Sequence, residues 1–148
     1  MRSLLFFTAM IFLFACGDDT PTVAEQLDEF MNNNPGVMLD SMQTSNGRIF
    51  YFEIQNAGGS EKPTPANSVR VTYEGAYTDG EIFDGNENLA FPLANTILGW
   101  QAGIPLIGRD GVIKLVIPPN LGYGPSPNNG IRNNAVLVFN VELHDLIN

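Results

Sequence analysis

The chain has 148 residues, with 16 Asp and Glu against 7 Lys and Arg and a formal charge of −9 at neutral pH. That acidity argues against nucleic-acid binding and against docking on anionic lipid through protein charge. A single cysteine and a single histidine leave no intrachain disulfide and no clustered zinc ligands, so a packed core of about one small domain must carry stability.

Residues 1–15 place Arg2 before an apolar run from Leu4 to Ala15. The run is shorter than the roughly 20 residues of a membrane-spanning helix and reads as a signal segment. Leu13-Phe14-Ala15-Cys16 resembles a bacterial lipobox, so Cys16 is expected to carry lipid and anchor the chain to a membrane. Gly17 after that cysteine favours the outer membrane of the cell envelope, facing the periplasm or the surface. Segment 16–45 then holds a polar tether and a short amphipathic helix. Thr22 and Glu25 have capping-box spacing, Leu27, Phe30 and Met31 share a face, and Pro35-Gly36 ends the pattern. The helix reads equally as spacer, packing arm or dimer contact, and the oligomeric state stays open.

From Asn46 the texture changes. Strands are predicted at 48–54, at 69–77 with Val69, Val71 and Tyr73 on one face, at 81–85, at 112–118, and at 135–147 with Leu137, Phe139, Val141 and Leu143 on one face. Asp79-Gly80 signals a hairpin turn. One helix is predicted over 97–104, capped by Asn95 or Thr96 and stopped by Pro105, with Ile97 and Trp100 on one side. The fold class is therefore α+β over 46–148: an antiparallel sheet of about five strands and one short helix.

Common catalytic apparatus is missing. No Gly-x-Ser-x-Gly elbow accompanies His144, which reads as a surface residue. Residues 84–95 start like a calcium loop but put Leu89 and Asn95 where Gly and Glu are needed. Gly122-Tyr123-Gly124 starts like a dinucleotide fingerprint and fails at Pro127. The expected chemistry uses no metal, no cofactor and no nucleophile.

What remains is a set of aromatics tied to turns: "VTYEGAYTDGEIFDG", "AFPL", "TILGW" and "VIPPNLGYGPSPNNGIRNNAVLVF". Each ring alone is ordinary core material. Asp84 is odd, because it directly follows Phe83 in a strand-like segment and precedes Gly85. In order and spacing, from about residue 69 to 143, these pieces resemble the FKBP-type peptidyl-prolyl cis-trans isomerases. "GWQAGIPL" and "GRDG" resemble the bacterial exported members.

The resemblance implies a sheet wrapped around the short helix and a shallow apolar pocket for a proline ring. Trp100 would be its floor. Tyr73, Phe83, Phe91, Ile97 and Phe139 would line it, Ile131 would lie on a rim loop, Tyr123 would offer its hydroxyl to a substrate carbonyl, and Asp84 would be the polar group of the wall. The implied activity is prolyl isomerisation, with proline-containing unfolded or nascent envelope proteins as clients. An alternative keeps the fold and assigns only holding or scaffolding.

Two departures from the family pattern stand out. The segment "GNENLA" between Asp84 and Phe91, read as a short loop, has no basic residue to pair with Asp84, which must turn to the Tyr73 hydroxyl or backbone amides. "IRNN" at 131–134 replaces a proline-containing rim and adds Arg132. The expected consequences are a more flexible rim, weaker macrolide binding and a preference for acidic substrate segments.

Overall fold

Six strands form one antiparallel sheet in the order β1-β2-β5-β6-β3-β4. They are β1 (Asp40–Gln43), β2 (Ile49–Asn56), β3 (Ser68–Tyr77), β4 (Ile82–Pro92), β5 (Gly111–Ile117) and β6 (Leu137–Ile147). The computed structural model describes residues 20–127 and 129–147; the signal segment and Cys16 lie outside the described residues. The alternation read from the sequence sets the inner face. Leu115 and Ile117 of β5, Leu137, Phe139, Val141 and Leu143 of β6, and Val69 and Val71 of β3 are all buried there.

The sheet exceeds expectation by one strand and starts at Asp40 rather than at 46. β1 pairs with β2 from Asp40↔Phe52 to Gln43↔Ile49, yet all four of its residues are exposed. A strand with neither face buried carries no hydrophobic alternation, so it left no pattern to read. The stretch from Asp84 to Phe91 also differs from expectation. It is not a loop but the body of β4, paired with β3 from Gly75↔Asp84 to Val69↔Phe91. Its polar composition suits an edge strand exposed along most of its length.

The inner face packs on α2 (Leu98–Gly103), which continues into a 3₁₀ turn at Ile104–Leu106. Gly99 lies against the Ile117 side chain and Gly103 against Leu115, too close for a Cβ at either position. That lets a helix of only 6 residues settle directly on β5. The helix is shorter than the expected 97–104 and lacks the expected cap: Ile97 holds the cap position with no side-chain bond. The Thr96 hydroxyl is engaged instead with the carbonyl of Leu93, closing the preceding 3₁₀ turn at 2.7 Å.

The outer face is covered by α1 (Val23–Asn33). Its capping box is formed as read: Thr22 Oγ1 accepts from the Glu25 amide at 3.2 Å, and Glu25 Oε2 accepts from the Thr22 amide at 2.7 Å. Phe30 is buried among Val116, Val136 and Val138, with Val23 and Leu27 packed alongside. The helix is thus a packing arm within its own chain. Its most specific tie is Gln26, a residue outside the predicted apolar face. Its Oε1 accepts from the buried Val136 amide at 2.8 Å, and its Nε2 donates to the Asn134 carbonyl at 2.9 Å.

Candidate active site

Aromatic rings from four elements meet where β3, β4 and β6 curl over α2. Trp100 is 5% exposed and forms the hub. The Tyr73 ring stands edge-on to it at 5.0 Å between centroids, Phe139 edge-on at 5.2 Å, and Phe91 lies tilted at 5.6 Å. Edge-to-face pairs contribute about 0.5–1.5 kcal/mol each beyond the area they bury. Above these rings opens a cleft of about 480 Å³ lined by Tyr73, Asp84, Phe91, Ile97, Trp100, Tyr123 and Phe139, joined by Leu89, Asn95 and Thr96. That volume suits a small ligand or one side chain of a peptide.

The first seven are predicted site residues that the structure brings together. Two others stand apart. Phe83 does not line the cleft; its ring packs edge-on against Phe139 at 5.6 Å and beside Tyr77 at 4.9 Å, supporting the wall from behind. Ile131 packs against the core without reaching the cleft lining. Sequence reading missed Leu89, Asn95 and Thr96. Reading 84–91 as a loop hid Leu89, and reading Asn95 and Thr96 as helix caps hid their place on the cleft. Their adjacency to Phe91 and Ile97 was the available signal.

The register of β4 explains the odd pairing of Phe83 with Asp84. Gly75 opposes Asp84 while the next residue, Ala76, opposes Ile82, so Phe83 is an extra, bulged residue. In a regular strand, neighbours point to opposite faces. The bulge breaks that rule, and both side chains serve the inner side: Phe83 against Phe139, Asp84 against Tyr73. Gly75 permits it, because a Cβ there would collide with both the Phe139 and Phe83 rings.

Asp84 is the only charged side chain among the described residues lining the cleft. Tyr73 Oη donates to its Oδ2 at 2.8 Å, and the Gly85 amide donates to its Oδ1 at 2.9 Å. These are the hydroxyl and backbone-amide partners expected in the absence of a basic residue. Burial, then the hydrogen bond to Asp84, pushes the Tyr73 phenol up to about 12. Burial and the Asp84 charge raise Tyr123 as well. Both phenols are therefore firmly protonated donors at neutral pH, and Tyr123 is 39% exposed at the cleft.

The rim is braced rather than loosened. The Arg132 guanidinium donates to Asp79 Oδ2 at 2.7 Å and to Glu81 Oε2 at 2.6 Å, and lies 4.0 Å over the Tyr77 ring. Its backbone amide donates to the Tyr77 hydroxyl at 3.1 Å. The β3–β4 hairpin thus supplies carboxylates that hold this cation, a contact the expectation of a flexible rim with a free Arg132 did not include. His144 is also tied down rather than free at the surface, with Nε2 2.8 Å from Thr72 Oγ1.

A twisted antiparallel sheet closed over a short helix, with an aromatic cleft holding one carboxylate and two phenols, has the form of a small-ligand or peptide-binding domain, with room for one apolar ring. Comparison with known proteins narrows this. The FKBP-type peptidyl-prolyl cis-trans isomerase family model matches residues 59–144, and the chain belongs to that family. It is 41% identical over 109 residues to the FKBP-type peptidyl-prolyl cis-trans isomerase FkpA of Escherichia coli K12, covering 71% of this chain and 40% of that protein. To FkpA of Buchnera aphidicola from Acyrthosiphon pisum it is 39% identical over 110 residues, covering 72% of this chain and 45% of that one. The chain thus spans less than half the length of these curated relatives. Among solved structures, a peptidyl-prolyl cis-trans isomerase from Pseudomonas syringae matches with a TM-score of 0.70 and 28% identity, over 89% of this chain and 100% of that one. The crystal structure of E. coli FkpA gives a TM-score of 0.70 at 35% identity, over 84% of this chain and 60% of that one.

Proposed function

We propose that this protein is a peptidyl-prolyl cis-trans isomerase that acts on X-Pro bonds of unfolded or nascent proteins in the bacterial cell envelope, tethered by lipid on Cys16. The observation that carries the activity is the convergence of Tyr73, Asp84, Phe91, Ile97, Trp100, Tyr123 and Phe139 on one cleft. The envelope location and the anchor rest on the apolar run from Leu4 to Ala15 and on the lipobox-like Leu13-Phe14-Ala15-Cys16.

Rotation about an amide C–N bond removes its resonance, at a barrier of about 18–20 kcal/mol. The planar amide is the more dipolar species and water favours it. An apolar cup withdraws that preference and leaves the twisted amide relatively better bound. In this reading Trp100 supports the proline ring, and Phe91, Ile97, Leu89 and Phe139 exclude water around it. The Tyr123 hydroxyl donates to a substrate carbonyl and holds the bent geometry of the twisted state. Asp84, fixed by Tyr73 and the Gly85 amide, presents the one negative charge at the wall. Each tenfold in rate needs only about 1.4 kcal/mol, so these groups suffice without acid, base or bond-forming chemistry.

An isomerase assay on a prolyl tetrapeptide, run with the full chain and with Trp100→Ala and Asp84→Ala, tests the activity. Turnover above the uncatalysed rate that falls in both variants supports it. No turnover, with unfolded client still bound, would assign the fold to holding instead. Metabolic labelling with a radioactive fatty acid tests the anchor: label lost in Cys16→Ala supports it, and label absent from the parent chain refutes it.

A further inference from the structure

Two irregularities of the sheet meet at one hydroxyl. Between Val71↔Leu89 and Tyr73↔Asn86 the single residue Thr72 of β3 faces two residues of β4, Glu87 and Asn88. On the other side, Arg70 opposes Asp145 while Val71 opposes Leu143, so His144 is an extra residue in β6. Each is a β-bulge, which interrupts the ladder and sharpens the local twist. Thr72 Oγ1 touches both. It accepts from the Asn88 amide at 3.1 Å and lies 2.8 Å from His144 Nε2.

The β4 bulge is a demanding one. Asn88 adopts φ 56, in the left-handed region that L-residues seldom occupy. Asparagine tolerates it better than most, but the conformation persists only where surroundings hold it. A bulge also leaves its extra residue's amide without a ladder partner. The Thr72 hydroxyl supplies that partner across the strand pair.

The residue that follows is Leu89, which lines the proline cleft. The residue beside Thr72 on β3 is Tyr73, whose side chain points to the opposite, inner face and holds Asp84. We propose that Thr72 is a positioning residue of the cleft: its hydroxyl pins the left-handed turn of β4 at Asn88 and so sets where Leu89 stands as the outer wall against a bound peptide. Thr72 itself faces away from the cleft and does not line it, so its hold on Leu89 passes through Asn88. This assignment rests on the isomerase reading for its catalytic consequence, but not for its structural one.

The test therefore has two arms, both on the isotope-labelled full chain. Thr72→Val keeps shape and removes the hydroxyl; Thr72→Ser keeps the hydroxyl. In the first arm, exchange of the Asn88 amide and the Leu89 methyl resonances are followed by NMR. Thr72→Val is expected to speed Asn88 exchange at least about tenfold and to shift the Leu89 methyls, with both near parental values in Thr72→Ser. In the second arm, KM for a prolyl peptide is expected to rise several-fold in Thr72→Val with a smaller change in kcat, again restored in Thr72→Ser. Thr72→Val combined with Asn88→Gly, where glycine accepts positive φ without help, is expected to recover part of the loss. Unchanged Asn88 exchange and Leu89 shifts in Thr72→Val would overturn the proposal, as would equal effects from Val and Ser. A parent chain without turnover would defeat the isomerase reading alone, since the first arm still decides the role of Thr72. Should Thr72→Val not fold, Thr72→Ala and the Asn88→Gly double variant provide the same comparison.

Discussion

Tyr73 and Asp84 face each other across β3 and β4, and the Tyr73 hydroxyl donates to Asp84 Oδ2 at 2.8 Å. The bond restrains the one charged group among the described residues lining the cleft and consumes the Tyr73 donor, so that in the proposed function Tyr123 is the phenol left to meet a substrate. Tyr73→Phe should leave the fold intact and lower kcat/KM about tenfold, the size of one charge-assisted hydrogen bond of roughly 1.5–3 kcal/mol discounted for exposure. Steady-state kinetics on a prolyl peptide checks this; parental kcat/KM in Tyr73→Phe would remove Tyr73 from the site's apparatus.

The same pair predicts an alkaline response. The Tyr73 phenol sits at about 12 in the fold against an ordinary value of 10.0. The folded state therefore holds the phenolic proton more tightly than the unfolded chain. That contribution is fully present below about pH 10 and is lost as pH rises toward about 12. Urea midpoints measured from pH 9 upward should fall more steeply for the parent chain than for Tyr73→Phe. Parallel curves would contradict the assignment.

Trp100 supports both core and cleft. Trp100→Ala should cost about 3–5 kcal/mol of stability, the usual range for a buried aromatic cut to alanine. Trp100→Phe should fold with a smaller loss while binding proline peptides more weakly. As the only tryptophan in the chain, Trp100 also reports occupancy. Its fluorescence should change on adding a proline-containing ligand and not on adding the glycine analogue.

Arg132 makes the rim loop dependent on a surface ion triad with Asp79 and Glu81. The Asp79 carboxyl is held below its ordinary value, first by the Glu81 amide and then by Arg132. A lowered carboxylate stabilises the fold above its unfolded pKa and loses that contribution as pH falls through the folded one. The brace should therefore weaken below about pH 4. Arg132→Met should raise rim-loop hydrogen exchange at neutral pH and reduce this acid dependence, leaving the part that the Glu81 amide holds. It should also leave the ratio of rates on acidic and basic peptides unchanged. A changed ratio would show that the guanidinium reaches substrate after all.

Gln26 clips α1 to the strand side of the rim through Val136 and Asn134. Gln26→Leu keeps bulk but strands the buried Val136 amide, at a cost of about 1–3 kcal/mol. Thermal unfolding should register that loss, whereas Asp28→Asn, two positions away and exposed, should change little.

Much of this protein was legible locally. The Thr22–Glu25 box, the Val69–Val71 and Leu137–Leu143 alternations, and the Asp79-Gly80 turn, with Gly80 at φ 91, involve residues a few positions apart. Their physics is complete within one turn of helix or one strand. Most of the cleft, Tyr73, Phe91, Ile97, Trp100, Tyr123 and Phe139, was legible in a different way, through the resemblance of their motifs to the FKBP-type family and not through any local pattern. The exposed β1, the true length of β4 and the burial of Gln26 were not legible, because no apolar period marks them.

By itself the sequence determined the two helices, the inner face of the sheet and the aromatic set that closes on Trp100. The helices and the inner face follow from side-chain volume and period, whereas the aromatic set followed only from the resemblance of its motifs to the FKBP-type family. Only the tertiary structure decided how the set is used. A bulge turns Phe83 behind the cleft while keeping Asp84 in it, a second bulge carries Leu89 to the wall, and carboxylates of the hairpin claim Arg132. A bulge is a mismatch between two strands, and an ion pair such as Arg132–Asp79 joins residues 53 positions apart. Neither is a property of one strand's pattern, so each comes into being only when the strands meet.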